Sequence, residues 1–235
     1  MAASVEAVSV VHEIIDGYYH PTAIDKRPVP GAVTIGELGP EGDRHIDKAH
    51  GGVDAAVYVY AAEDAAYFAR ELDREIPPGL FGDNVRTRGL DVTSSLLGER
   101  WWLGEPGTGV LLEVRKPRTP CHNFSMRMGI QGFHVDFYRT GRVGAMCRVL
   151  EPGVVRAGDP VTLDHRPDHE VTIGVLVTGM TQAQARGLLD ADVSLTSAVR
   201  AKARRIAGRR PHRSRGGLSG RDAPGGWSPG SRTCS

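Results

Sequence analysis

Val110-Leu111-Leu112-Glu113-Val114-Arg115-Lys116-Pro117-Arg118-Thr119-Pro120-Cys121-His122 is the stretch from which the rest of the chain is read. Val110, Leu112 and Val114 face one way and Glu113 and Arg115 the other, which is the period-two pattern of a β-strand. The strand runs out into a loop that two prolines stiffen, and the loop presents a cysteine. Arg115, Lys116 and Arg118 all lie within six positions of the sulfur. Positive charge nearby favours the thiolate, the form of cysteine that is nucleophilic and binds metals. The same residues also describe a buried structural cysteine beside a basic strand end. At this point both readings stand.

Outward from that strand, further short strands are expected at residues 4–12, 32–36, 55–60, 84–87, 100–103, 143–150 and 160–163, from β-branched or alternating patterns between turn residues. A single clear helix interrupts them at 61–76. Glu63 and Asp64 fall in its first turn, where the helix dipole favours acids. Ala61, Ala65, Phe68, Leu72 and Ile76 make its apolar stripe, and Pro77-Pro78 is the expected stop. Spaced short strands with few helices predict an α+β domain, mainly β and barrel-like, with peripheral helices. Beyond Glu170 the pattern changes. Residues 171–177 read as a last strand or the start of a small module. Thr181 with Gln184 is a capping box opening a helix to about Asp190, and 194–207 reads as another helix, ended by Gly208. The organisation is therefore a main domain over 1–168, a small C-terminal helical region over 169–208, and a tail over 209–235. The tail is rich in Gly, Ser, Pro and Arg without periodicity, and is read as disordered.

Composition sets the outer limits. The chain has 235 residues, of which 40% are hydrophobic and 24% charged, with a formal net charge of +1. That is enough for one sizeable domain, and it exerts no strong overall pull on nucleic acid or membrane. The basic stretch 200–215 is the one weak exception; without interleaved aromatics it reads as a solvated helix running into a basic tail. The N-terminus lacks the pattern of a secretory signal, and no apolar run reaches the roughly 18–20 residues needed to cross a bilayer. Cys121, Cys147 and Cys234 are too few and too unevenly spaced for a disulfide framework. A reducing cytoplasm is the expected compartment.

Other segments carry weaker signals. Gly42-Asp43-Arg44-His45 and His50-Gly51-Gly52 place two histidines five apart, but no carboxylate or cysteine completes a zinc spacing. Gly51-Gly52 would let backbone amides approach a phosphate. In Gly82-Asp83-Asn84 the polar pair could form a turn or hydrogen-bond a polar ligand, and on these residues alone the turn reading wins. Lys26, before Arg27-Pro28, is the kind of basic residue common in solvated loops. His134 and Tyr138 share a helix face. Cys147 sits in an apolar strand and belongs to the core.

The order of these motifs is more telling than any one of them. Lys26-Arg27-Pro28-Val29, Gly42-Asp43, His50-Gly51-Gly52-Val53-Asp54-Ala55, Gly82-Asp83-Asn84, Pro117-Arg118-Thr119-Pro120-Cys121, Thr140-Gly141-Arg142-Val143-Gly144 and Leu150-Glu151-Pro152-Gly153 follow one another between residues 26 and 153, within a likeness that extends over residues 4–205. In this the chain resembles the MOSC domain family, named after the C-terminal domain of molybdenum cofactor sulfurases, and within it the stand-alone bacterial branch. The resemblance implies a β-barrel-centred fold and a molybdenum cofactor whose protein ligand is the motif cysteine, here Cys121. Arg118 would partner the cofactor phosphate, Lys26, His50, Gly51 and Asn84 would line its pocket, and Arg44 and His45 fall at a variable point of the pattern. It further implies reduction of N-hydroxylated substrates such as hydroxylaminopurines or amidoximes, fed by a separate electron-donor reductase. The alternative within the family is a non-redox carrier of cofactor or of persulfide sulfur on the same cysteine. Outside the family, a metal hydrolase would use His45, His50 and Cys121, and an RNA-binding protein would use the basic tail. This chain departs from the branch at Asp83, commonly Glu, and in the tail after Gly208, which has no counterpart.

Overall fold

The computed structural model describes residues 2–44, 46 and 51–209. The chain opens with four strands: β1 (Ser4–Ile15), β2 (Thr22–Pro28), β3 (Ala32–Gly36) and the two-residue β4 (Gly39–Pro40). A 3-10 turn (Val53–Ala55) leads into β5 (Val57–Ala61), α1 (Ala62–Glu71) and β6 (Val85–Arg88). Then come β7 (Arg100–Leu103), β8 (Val110–Pro117), α2 (His122–Met128), α3 (Phe133–Arg139), β9 (Ala145–Glu151), β10 (Gly153–Arg156) and β11 (Val161–His165). Three helices close the described chain: α4 (Ile173–Thr178), α5 (Gln182–Asp190) and α6 (Ser197–Ala207).

Eight strands make one mixed sheet in the order β11-β7-β8-β9-β5-β6-β1-β2, and β10, β3 and β4 make a second. In the large sheet β5 and β6 are parallel. Parallel neighbours need a crossover connection, and α1 provides it. The α+β, mainly β class is as the sequence implies, but the barrel is not formed, because the large sheet stays open. Its curl brings the start of β1 against the start of β11, where Val5 N–H donates to the Asp159 carbonyl at 2.8 Å and Val161 N–H to that of Ala3 at 2.9 Å. Only one bridge forms there, between Ser4 and Pro160. From Ser9 onward β1 is paired with β2, and Pro160 has no N–H to extend the ladder.

Several elements differ instructively from expectation. α1 ends well before Pro77-Pro78. Asp73 takes a left-handed φ of 46°, and Arg74 N–H turns back to the Ala69 carbonyl at 3.1 Å. Residues 171–177 hold a helix, not a strand, despite their β-branched composition. Thr172 caps α4 by accepting from Val175 N–H at 3.1 Å, a local bond that overrides propensity. β2 was hidden by its charged sequence; it is an edge strand whose proline falls at its end, where no ladder bond is lost. The capping box of α5 and the Thr196 cap of α6 are formed. The tail expected to be disordered lies, from Arg210, outside the described residues. No helix among the described residues is long and apolar enough to cross a membrane.

The part of the core that lies beside the cysteine-bearing loop is aromatic. Phe68 of α1, Phe81, Phe124 of α2, and Phe133 and Phe137 of α3 are buried together with Tyr60 of β5. Phe124 has its ring centroid 5.3 Å from that of Phe81, 5.4 Å from Phe133 and 4.7 Å from Phe137. Burying one phenylalanine stabilises by about 1.5–3 kcal/mol, and each well-oriented ring pair adds about 0.5–1.5 kcal/mol. A helix as short as α2 is marginal alone, so this anchor three residues after Cys121 is what holds it.

Candidate functional site

The cysteine strap is fastened at both ends. At its start β8 runs to Pro117, which lies opposite Ala145 of β9, and Arg118 N–H donates to the Gly144 carbonyl at 3.3 Å. Gly144 has φ 72°, and a Cβ there would stand 2.6 Å from the Val59 carbonyl oxygen and 2.7 and 2.8 Å from the Tyr60 and Tyr58 rings. Only glycine fits. The hydroxyls of Tyr58 and Tyr60 donate to the carbonyls of Val143 (2.8 Å) and Arg142 (2.9 Å) and pin the same turn. Burial pushes both phenols' pKa values up, so they remain donors. At its end the strap enters α2, where the Cys121 carbonyl accepts from Phe124 N–H at 3.0 Å. Cys121 itself is half-buried, whereas Cys147 is fully enclosed, and burial pushes its thiol pKa up. The two thiols in the described chain are thus set apart by environment: Cys121 opens on a cleft, and Cys147 is inert core.

That cleft has a volume of about 950 Å³. The strap from Lys116 to Asn123 contributes to it, as do the Tyr18–Ile24 segment, Lys26, Arg44, Gly51 and the buried Tyr58. The Arg118 guanidinium carbon lies 4.7 Å from the Phe124 ring centroid and 5.5 Å from that of Tyr58. Its Nη1 is buried with no hydrogen-bond partner among the described residues. An unmet buried donor costs about 1–3 kcal/mol, so this side chain has an N–H to donate to a ligand oxygen. Lys116 also lines the cleft. Arg115, the third basic residue of the motif, does not reach it. Strand alternation sends its guanidinium the other way, to Asp54 (2.8 Å), Glu113 (2.5 Å) and the carbonyl of Ser194. Asp54 also takes Arg148 at 2.6 Å. Burial alone would raise the Asp54 pKa, but the two arginines outweigh it and hold the carboxyl below its usual range. This pairing secures the turn that follows Gly51-Gly52.

Lys26 enters the cleft from β2 with a side chain only 8% exposed. Its ammonium bonds Asp43 Oδ2 at 2.7 Å. Burial pushes its pKa down, against the pull of Asp43. The same Asp43 oxygen accepts from Asn84 Nδ2 at 2.8 Å, and Asp43 Oδ1 accepts from Val11 N–H at 3.1 Å. Asn84 in turn accepts from Tyr58 N–H at 3.1 Å. Asn84 therefore stands behind the cleft rather than on it, and reaches it through Asp43 and Lys26. Asp83 of the same motif is spent on a fully buried pair with Arg86, at 3.0 Å.

Cys121, Arg118, Lys26, Arg44 and Gly51 come together around one cavity, with Asn84 one step back. His45 and His50 lie outside the described residues. Gly51 and Gly52 have φ of 86° and 81°, the left-handed region that suits glycine. Sequence reasoning missed Tyr18, Tyr19 and His122, which line the cleft, and it gave Asp43 no role of its own. The run Asp16-Gly17-Tyr18-Tyr19-His20 carried a signal in its paired aromatics among turn residues.

The fold and site together define a class: a small α+β domain on an open sheet, with a half-buried free thiol in a cleft lined by basic side chains. Residues 47–162 match the MOSC domain, and the chain belongs to the MOSC domain family. It is 35% identical to the protein YiiM of Escherichia coli (strain K12) over 151 residues, which are 62% of this chain and 65% of YiiM. The crystal structure of YiiM from Escherichia coli superposes with a TM-score of 0.65 at 27% identity, covering 92% of this chain and 98% of that one. The uncharacterized protein YflK of Bacillus subtilis (strain 168) is 32% identical over 159 residues, 67% of this chain and 70% of its own. A protein named reductase from Gibberella moniliformis is 32% identical over 149 residues, 62% of this chain but 26% of its own length. The family is associated with binding of the molybdenum cofactor.

Proposed function

We propose that this chain binds a molybdenum cofactor, with Cys121 as the protein ligand to the metal, and reduces N-hydroxylated substrates of hydroxylaminopurine or amidoxime type in a reducing cytoplasm. The observation that carries the reading is the pairing, in one cleft, of the half-buried Cys121 thiol with Arg118, whose buried Nη1 has no partner among the described residues. A soft thiolate suits the metal, and a planar guanidinium suits a phosphate or other oxyanion. The relative named reductase supports the redox assignment.

When bound, the cofactor supplies a two-electron couple by which an N–OH group loses its oxygen and becomes the amine. The protein's own work is to bind and orient. Arg118, fixed by Phe124 and Tyr58, gives donors to the cofactor's anionic end. Lys26 lines the cleft from β2 and is held there by Asp43, whose carboxylate offsets part of the downward push that burial gives its pKa. The Gly51-Gly52 backbone permits close approach, and Arg44 contributes charge at an exposed position. Gly144 and the two tyrosines fix the strap, so that the sulfur does not wander relative to Arg118. Electrons come from a separate reductase.

The test is metal and pterin analysis of wild-type and Cys121→Ser protein made in a host that synthesises the cofactor. Molybdenum near one per chain with an oxidisable pterin, lost or labile in the mutant, is the expected result and justifies turnover assays with a reductant. Wild-type protein that takes up neither would sink the reductase reading and move the assignment to a persulfide carrier, detected as persulfide on Cys121.

A further inference from the structure

Tyr18 and Tyr19 are large aromatic side chains left 52% and 74% exposed, yet they are placed with care. Tyr18 stacks on His122, the residue after Cys121, with ring centroids 4.7 Å apart and planes at 29°. His122 has His134 at 4.5 Å, and Tyr19 meets Tyr18 edge-on at 4.5 Å. His134 is held in turn, since its backbone N–H donates to Ser125 Oγ at 2.9 Å and its Nδ1 bonds the same hydroxyl at 2.8 Å. The loop presenting the tyrosines is tied to α2 by Tyr18 N–H donating to Asn123 Oδ1 at 2.6 Å. Gly17 makes that closure possible: a Cβ there would lie 2.1 Å from the His20 carbonyl oxygen and 2.9 Å from Asn123 Oδ1. Tyr18, Tyr19 and His122 all line the cysteine cleft.

Exposing two tyrosines to water has a cost that a surface loop would ordinarily shed. A row of rings in mutual contact, ending one residue from the half-buried Cys121, is a stacking shelf. We propose that Tyr18 and Tyr19, braced by His122 and His134, form a subsite for a flat aromatic ring, and that they select aromatic over aliphatic N-hydroxylated substrates. The inference rests on the reductase reading for the reactive group, but ring binding itself does not. The chemistry is general: rings stack offset or edge-on at such spacings, and the stack is worth most where one face is already desolvated. Tyrosine adds little conformational freedom to be lost on binding.

The experiment compares benzamidoxime, which has a ring, with acetamidoxime, which has the same N–OH group and none. The proteins are wild type, Tyr18→Leu, Tyr19→Ser, Tyr18→Phe and Tyr19→Phe, each as the full chain carrying its cofactor. Losing one stacking partner is expected to raise the KM for benzamidoxime roughly ten-fold, in the range of measured base-stacking losses, with kcat held. The phenylalanine variants restore it, and the KM for acetamidoxime moves by less than about two-fold. Saturation-transfer NMR of benzamidoxime with the cofactor-free chain gives a second readout, with signal expected in wild type and lost in Tyr19→Ser. Equal losses for both amidoximes, no loss for either, or no ring-dependent signal in wild type would each overturn the shelf. So would a change of oligomeric state in Tyr19→Ser, which assigns the tyrosines to an interface between copies. Tyrosine-dependent ring binding without any N–OH turnover keeps the shelf and removes the reductase reading.

Discussion

Replacing Asp43 by asparagine tests the electrostatic core of the site. Asp43 receives three hydrogen bonds: from Lys26 Nζ at 2.7 Å, Asn84 Nδ2 at 2.8 Å and Val11 N–H at 3.1 Å. It is pure acceptor, and no orientation of an amide reproduces that, because its NH2 group would face a donor. The Lys26 side chain is 8% exposed and that of Asp43 3%, so water has little access to compensate. Breaking a buried pair from one side costs about 3–5 kcal/mol. For a chain of this size that lowers Tm by about 10 °C. Lys26→Met should cost less, because Asp43 keeps two donors, and the double variant should regain at least about 1 kcal/mol over Asp43→Asn alone. Urea titration of the four proteins measures this. The pH dependence has a defined sign. Lys26 is already depressed by burial, and without Asp43 it falls further. The unfolded chain then binds more protons below its ordinary lysine pKa, so the deficit of Asp43→Asn shrinks as pH rises toward about 10. A loss under about 1 kcal/mol, flat with pH, would mean that Lys26 is not held by this pair and would refute the reasoning.

Gly144→Ala combines a left-handed residue with contacts under 3 Å to Val59, Tyr58 and Tyr60; it is expected to cost about 2–5 kcal/mol and to weaken cofactor retention through Arg118, as urea unfolding and metal analysis would record. Native alkylation with iodoacetamide followed by peptide mapping should label Cys121 and spare Cys147, whose buried thiol is pushed up in pKa; labelling of Cys147 at a comparable rate would contradict the burial argument. His169 donates from Nε2 to the Leu97 carbonyl at 2.8 Å and accepts at Nδ1 from Val171 N–H at 3.1 Å, and burial pushes its pKa down. The unfolded state therefore takes up the proton first, and stability should fall as pH drops below about 6.5. His169→Gln should flatten that slope in thermal melts between about pH 7 and 5, and an unchanged slope would remove His169 as its source.

Local patterns were legible where one interaction dominates. The alternation of Val110 to Arg115 announced β8, and Thr181 with Gln184 announced α5, because burial parity and capping act over a few residues. The strap and its cysteine were legible for the same reason. What escaped depends on groups far apart in the chain. β2 exists because β1 pairs with it, and its buried lysine has a partner only because Asp43 arrives from another segment, held in turn by Asn84. α4 carries a strand-like sequence turned helical by one threonine cap. Arg115 and Arg118 are equivalent in composition, and only the parity of β8 sends one to the cleft and the other to Asp54. The open sheet, too, follows from how β1 divides its length between β6, β2 and β11.

The buried Arg115 has a consequence for the order in which the chain is made. Its guanidinium is satisfied by Asp54 and Glu113, which precede or adjoin it, and by Ser194, which is synthesised 79 residues later. Until Ser194 has left the ribosome, an arginine in the middle of the large sheet lacks one of its partners, and the turn after Gly51-Gly52 rests on an incomplete scaffold. Translation at roughly 5–20 residues per second puts several seconds between the two events. The early strands therefore wait for that bond until the segment between α5 and α6 has been made, although every described residue lining the cleft lies between Tyr18 and Met146.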